Sequence, residues 1–231
     1  MRWSATLILV SACATTAAPV ADPYKADVDA VLAKHPATAR TIPEPATLAA
    51  KPWKVGQWAL YVHRGTSQPA YQRIRVVGTG ACGVWISAEA RTYRAHYKWR
   101  LCVRSADYTA GNALDLVQVF IVQNDRESKT IDAHSGDARA KHDREGFVEG
   151  LLPPQIAEGD ANLVREDVDV PAGHFVRALR ETRHLDDGSD VVRWFSPDVP
   201  FDGTIKRHTR AFDLVLLAYG DSSSPDATDD L

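Results

Sequence analysis

The chain has 231 residues, a formal net charge of -3 at neutral pH, and 45% hydrophobic and 25% charged residues. This length suits one sizeable β domain or two small ones and does not by itself decide between them. The near-neutral balance carries no global electrostatic signature of nucleic-acid binding, so nucleic acid is not an expected partner.

The first thirteen residues have the pattern of an export signal that ends in a lipid anchor. Arg2 precedes a short apolar stretch from Ser4 to Ala12, which is too short for the ~20 residues that a membrane-crossing helix needs. The segment 10–13 resembles the bacterial lipobox, in which the cysteine carries the acyl chains. This resemblance implies that Cys13 becomes the lipidated, palmitate-bearing first residue of an outer-membrane protein that faces the periplasm. Cleavage by the general signal peptidase is the alternative, because residues 12–14 also satisfy its small-residue rule.

The chain has three cysteines, an odd number that would leave one thiol unpaired in an oxidising compartment. Lipidation of Cys13 leaves Cys82 and Cys102, and a disulfide is the default expectation for two such residues in the periplasm. The chain-entropy model assigns this bridge roughly 3 kcal/mol of stabilisation.

Residues 14–52 are rich in alanine and proline and contain no glycine, which predicts a tether between the anchor and the domain. A short helix is expected inside it. Asp22 would serve as the N-cap and Pro23 would occupy the first helical position. One face of this helix would then carry four apolar side chains, Tyr24, Val28, Val31 and Leu32.

The clearest strand lies between Tyr93 and Arg104, where residues alternate with a period of two. The alternation predicts an apolar face that includes Tyr97, Trp99 and Leu101. The other, wet face carries Arg94, His96, Lys98, Arg100, Cys102 and Arg104. A bridge from Cys82 directly across to Cys102 would set paired positions to sum to 184. Trp85 would then face Trp99 on the apolar side, and Ser87 would face Tyr97.

Further strands are predicted along the rest of the chain, with hairpin turns at 171–173 and 186–188. They are expected at Trp58 to Arg64, Tyr71 to Val77, Leu114 to Gln123, Lys129 to Ala133, Leu163 to Val170, His174 to His184, Asp190 to Ser196, Thr204 to His208 and Phe212 to Gly220.

Within the domain, only Asp143 to Leu152 reads as a helix. The prediction is therefore a mainly β domain over 53–220, built as a curved antiparallel sheet or half-barrel, followed by a disordered acidic tail at 221–231.

Three segments carry a resemblance to a known group of proteins. The pattern V-P-A-G-x-F at 170–175, then W-x-S-P-x-V-P at 194–200 and G-x-I-K at 203–206, resembles uncharacterised bacterial envelope proteins that are similar to LolA/LolB-type lipoprotein carriers. Those carriers are half-barrels whose apolar concavity receives acyl chains. The resemblance implies a fold, and it transfers no ligand-binding residue.

No motif of comparable quality indicates catalysis. The segment 132–137 contains His134, Ser135 and Asp137, but it lacks the G-x-S-x-G elbow of α/β hydrolases, so a hydrolase is the least favoured hypothesis. No pair of histidines has the spacing of a helical zinc site. The prediction therefore names no catalytic residue, no metal and no cofactor.

The expected function is that of a non-enzymatic, lipid-anchored envelope protein that binds a lipid or another apolar ligand. The candidate apolar ligand face is Trp85, Tyr97, Trp99 and Leu101, although these side chains could instead pack as core. The candidate face for anionic headgroups is Arg94, Lys98, Arg100 and Arg104, although such rows also occur on ordinary solvated strands. The alternative of nearly equal weight is a structural protein that docks an envelope partner through the same sheet.

Overall fold

A computed structural model describes residues 22–47, 51–65, 70–104, 115–123, 126–132 and 163–222. It is 57% strand and 7% helix, and it forms one large, mostly antiparallel sheet that is not closed. The predicted mainly β architecture is therefore confirmed. No helix in the described ranges has both the length and the apolar character that crossing a membrane requires.

The described elements are one helix and twelve strands. In chain order they are α1 (Lys25–Lys34), β1 (Thr41–Ile42), β2 (Trp58–Arg64), β3 (Ala70–Gly80), β4 (Gly83–Thr92), β5 (His96–Arg104), β6 (Asp115–Gln123), β7 (Arg126–Asp132), β8 (Leu163–Val170), β9 (Gly173–His184), β10 (Asp190–Phe195), β11 (Thr204–His208) and β12 (Asp213–Gly220). Each predicted strand coincides with one of these within a few residues. The predicted helix at Asp143 to Leu152 lies outside the described ranges.

Two meanders make up the sheet. Strands β2 to β7 follow one another in space as they do in sequence, and so do β9 to β12. The two halves join where β12 pairs with β2, in a register that runs from Asp213 opposite Arg64 to Gly220 opposite Trp58. Strand β8 pairs with β9 in antiparallel fashion, whereas the short β1 pairs with β9 in parallel.

Strands β2 and β12 lie at the centre of the sheet and are buried on both faces. Ala59, Leu60 and Leu216 are each fully buried, as the near-continuous apolar runs of the two strands require. The hydrophobic core extends from this junction to both meanders and includes Ile86 and Phe175.

The segment 22–47, which the sequence assigned to a tether, belongs to the folded domain. Val28 of α1 is fully buried in the core, and Ile42 pairs with Phe175 in the sheet. The alanine and proline content of this segment does not reveal that its few large apolar residues are needed to cover the sheet. The helix also begins later than predicted, because Asp22 precedes a turn and the N-cap is Tyr24, whose side chain makes no capping hydrogen bond.

The hairpin between β3 and β4 depends on Gly83. Its φ is +130°, and a Cβ at this position would lie 2.2 Å from the carbonyl oxygen of Val103. This close approach places the start of β4 directly against the backbone of β5.

We expect Gly83→Ala to reduce the free energy of unfolding by roughly 2–5 kcal/mol, because it combines backbone strain with a collision against β5. Gly188→Ala is the matched control: Gly188 also has a positive φ, +77°, but a Cβ there would contact nothing within 4 Å. It should cost only about 1–2 kcal/mol. Urea unfolding measures both, and equal losses would contradict the proposed contact.

Candidate functional site

The predicted site lies on the hairpin formed by β4 and β5, and its register differs from the prediction. Trp85 pairs with Cys102, Ser87 with Arg100 and Ala88 with Trp99, so that paired positions sum to 187. The predicted sum of 184, with Trp85 opposite Trp99 and Ser87 opposite Tyr97, is wrong. The reason is that Cys82 lies in the tight turn between Gly80 and Gly83 rather than in a strand.

The disulfide itself is present. Cys82 is bonded to Cys102 with a Cα–Cα distance of 6.2 Å, which is in the usual range for such bridges. It joins the β3–β4 turn to strand β5, and its two cysteines are not directly paired in the sheet. Cys102 is completely buried, so it does not lie on a wet surface as the alternation suggested.

The register divides the hairpin into two faces. The first, here called the helix face, carries Trp85, Ser87, Glu89 and Arg91 of β4 together with His96, Lys98, Arg100 and Cys102 of β5. The second, here called the opposite face, carries Ile86, Ala88, Ala90, Tyr97, Trp99 and Leu101. Trp85 therefore lies on the other side of the sheet from Tyr97, Trp99 and Leu101, and the predicted four-residue apolar face is wrong at this position.

An aromatic pair marks the opposite face. The rings of Tyr97 and Trp99 are stacked, with centroids 5.8 Å apart and planes 14° from parallel. Both side chains are only partly buried, whereas Leu101 is 1% exposed and belongs to the core. Across the hairpin the paired residues are Ala90 and Ala88, whose side chains are small, and Trp99 also packs against the hydrophobic core.

The four predicted basic residues do not form one row. Strand β5 begins at His96, so Arg94 lies in the preceding turn, where its Nε is 3.1 Å from a carboxylate oxygen of Asp22. Lys98, Arg100 and Arg104 do lie on the strand; Arg100 and Arg104 are exposed, and Lys98 is half-buried. In the sequence the period-two alternation already starts at Tyr93 and Arg94. It therefore did not show that the β4–β5 turn extends to Ala95 and that the strand begins only at His96.

A buried polar network lies at the far end of the helix face. An oxygen of the Glu89 carboxylate is 2.7 Å from Nε2 of His96 and 3.0 Å from a guanidinium nitrogen of Arg91. The hydroxyl of Tyr71 donates to the same oxygen at 3.3 Å, and burial raises the pKa of Tyr71 to about 12. The side chains of Glu89 and His96 are only 4% and 2% exposed.

Helix α1 packs over this network, which is why the face takes its name. Arg91 forms an ion pair of 2.7 Å with Asp27, and its guanidinium lies 5.6 Å from the ring centre of Tyr24. The ring of Tyr24 also meets that of His96 edge-on. The predicted wet face is therefore wrong at His96, because Tyr24 at the N-terminus of α1 covers its ring. Asp22 and Asp27, which pair with basic residues near the β4–β5 turn, are the signal that could have placed the helix here.

A second polar network holds the turn at 196–203, where one resemblance motif lies. Asp202 is 5% exposed and its carboxylate is 2.9 Å from Arg193, while Thr204 donates to the same carboxylate through both its amide and its hydroxyl. These contacts fix the proline-containing turn between β10 and β11.

Two further polar groups lie near this network, Tyr61, which is buried, and His63, which is half-buried. The hydroxyl of Tyr61 has no hydrogen-bond partner among the described residues, and burial raises the pKa of Tyr61 well above its ordinary value. On the same strand, burial lowers the pKa of His63 below its ordinary value. At 2% exposure, Tyr61 offers no access to a ligand from solvent.

Several predicted residues lie outside the described ranges. They are Cys13 and the hydrolase candidates His134, Ser135 and Asp137. Within the described ranges, no group of three or more histidine, cysteine, aspartate or glutamate side chains is arranged to hold a metal ion. The hairpin of β4 and β5 presents an aromatic surface on the opposite face and positively charged side chains on the helix face.

Comparisons with known proteins give no family. No protein-family model matches the chain, and no curated protein matches it. A solved structure of the hypothetical protein CT021 from Chlamydia trachomatis is similar with a TM-score of 0.36 and 10% identity, over 75% of this chain and 90% of that one. A similarity at this level carries no argument about function.

We expect Glu89→Gln to reduce the free energy of unfolding by roughly 3–5 kcal/mol, because it leaves Arg91 without its buried counter-charge. Asp190→Asn is the matched control, since Asp190 also pairs with a histidine, but that histidine, His184, is 81% exposed. It should cost less than about 1 kcal/mol. Similar losses in chemical denaturation would show that burial does not separate the two pairs.

Proposed function

We propose that this protein is a non-enzymatic, lipid-anchored protein of the bacterial envelope that binds an acyl-bearing or other apolar ligand on its sheet. The anchor is the lipid on Cys13, which holds the chain at the outer membrane on the periplasmic side. The ligand site is the opposite face of β5 around Tyr97 and Trp99.

One observation carries the ligand proposal: the stacked, half-buried pair of Tyr97 and Trp99 beside Ala88 and Ala90. Large aromatic rings are normally buried, and each buries 150–250 Å² when it finds a partner surface. Because Ala88 and Ala90 are much smaller than the rings beside them, a flexible hydrocarbon chain can lie over the alanines and against the rings. The buried Leu101 and Ile86 beneath this surface make its floor apolar.

Docking of an envelope protein is the second candidate function. It is supported by β8, which within the described part of the chain pairs with β9 alone and therefore forms an edge of the sheet. Val164 on this strand is 47% exposed. Open edges accept an added strand from another protein.

The anchor is tested by Cys13→Ser. We expect the unsubstituted protein to incorporate labelled palmitate and to fractionate with membranes, and the variant to lose both properties because the acylated thiol is gone. Cys82→Ser is the control, and it should keep the label since its thiol serves the disulfide. A mature protein that begins at Ala14 or later by intact mass would overturn the anchor.

The ligand face is tested with a fluorescent fatty-acid probe and the full chain carrying Cys13→Ser. We expect Trp99→Ala to weaken binding about tenfold, equivalent to roughly 1.4 kcal/mol, because it removes the larger ring of the stacked pair. Trp85→Ala is the matched control, since this half-buried tryptophan lies in the same hairpin on the helix face. Equal effects, or no probe binding at all, would contradict the proposal. Absence of probe binding together with a discrete cross-linked adduct in envelopes would support partner docking.

A further inference from the structure

A row of polar residues crosses three neighbouring strands on the helix face. Arg75 of β3 pairs with Ser87 of β4, and Ser87 pairs with Arg100 of β5. Because neighbouring strands lie ≈ 4.7–4.9 Å apart, the two arginine Cα atoms are about 10 Å apart with the serine between them. Two arginine side chains at this spacing are long enough to reach one group above Ser87.

Among the residues whose side chains the structure describes, none neutralises the positive charge of this row. Arg75, Arg100 and the adjacent Lys98 form no ion pair or hydrogen bond with any other described side chain. The acid closest in register, Glu89 opposite Lys98, already accepts from Arg91, Tyr71 and His96. The row therefore keeps three positive charges within a small area.

Arg75 also carries a buried donor that lacks an acceptor. Its side chain is half-buried, and its Nε has no hydrogen-bond partner among the described residues. Leaving a buried donor unsatisfied costs about 1–3 kcal/mol. Nε of Arg73, Arg91 and Arg180 is in the same state, so the case for a ligand rests on the charge and the placement of the row rather than on this atom.

The donors match a phosphate group. Guanidinium groups bind phosphate oxygens through paired N–H donors, and a hydroxyl and an ammonium group add single hydrogen bonds. Helix α1 covers the row of Arg91 and His96, two rows away, and Arg100 remains exposed. Trp85, on the same face two residues from Ser87, is half-buried; tryptophan is enriched where a protein meets the headgroups of a bilayer.

We propose that Arg75, Ser87 and Arg100, assisted by Lys98, form a binding site for the phosphate of an anionic phospholipid. The helix face then lies against the leaflet that holds the anchor, and the aromatic pair on the opposite face points away from it. The assignment of a lipid headgroup, rather than free phosphate, rests on the proposed anchor at Cys13. The phosphate chemistry itself rests on the row alone.

The site is tested with the full chain carrying Cys13→Ser, so that no acyl chain contributes to binding. Vesicles of phosphatidylcholine measure the contribution of the apolar N-terminal residues, and vesicles that also contain phosphatidylglycerol measure the anionic site. We expect at least tenfold tighter binding to the second kind, with the difference lost at high salt. Equal binding to both would overturn the proposal.

Arginine variants test whether vesicle binding depends on this row or only on the total positive charge of the protein. Arg100→Gln, at an exposed position, should weaken binding to the anionic vesicles about fivefold, and Arg75→Gln with Arg100→Gln about 25-fold. Arg210→Gln is the matched control, because Arg210 is exposed in the turn between β11 and β12 and loses the same charge. It should change binding less than twofold. A loss equal to that of Arg100→Gln would overturn the site.

Titration with inorganic phosphate distinguishes the two sources of the anion. Binding of phosphate without any preference for anionic vesicles would overturn the lipid assignment. Failure of the anchor or of the fatty-acid probe leaves these vesicle measurements unchanged, since they use unacylated protein and the other face of the sheet. The two proposals therefore fail separately.

Discussion

The pairing of β12 with β2 is the interaction on which the rest of the structure depends. It joins the two meanders, which are far apart in sequence, into one sheet. Leu60 and Leu216 are fully buried at this junction, so the core of each half is completed by the other. Without it, each meander would expose one long apolar edge strand. A contact between such distant segments has a large loop-closure entropy to overcome, and only the burial of both central strands offsets it.

The β4–β5 hairpin shows how one turn determines which side chains can act together. Side chains alternate along a strand, so an odd change in register exchanges the faces. The predicted sum of 184 and the observed sum of 187 differ by three, which moves Trp85 away from Trp99 and places it beside the basic row. The cause is local: Gly80 and Gly83 pair and leave Cys82 in the turn. Aromatic and cationic surfaces consequently occupy opposite faces of the same two strands.

Helix α1 buries one part of the helix face and does not cover the rest. Its acids meet basic residues of the sheet, as Asp27 does with Arg91 and Asp22 with Arg94. Beneath it, Glu89 and His96 form a buried pair that needs the surrounding hydrogen bonds to be tolerated away from water. Two rows further along, Arg75 and Arg100 carry the same kind of charge and have no ion pair with a described side chain. Burial by the helix, rather than residue type, distinguishes Arg91 from Arg100, which is exposed.

The sequence alone determined the strands, the two hairpin turns at 171–173 and 186–188, and the partners of the disulfide. Period-two alternation, glycine and proline positions and an odd cysteine count are features that can be read locally or counted. It did not determine that 22–47 joins the fold, since the few residues that pack there, such as Val28 and Ile42, stand in an alanine- and proline-rich segment. Nor could it reveal the row of Arg75, Ser87 and Arg100, which comes from three strands. Those outcomes were decided by strand register and by the packing of distant segments. Register depends on where each turn places the chain, and packing depends on which surfaces become buried together.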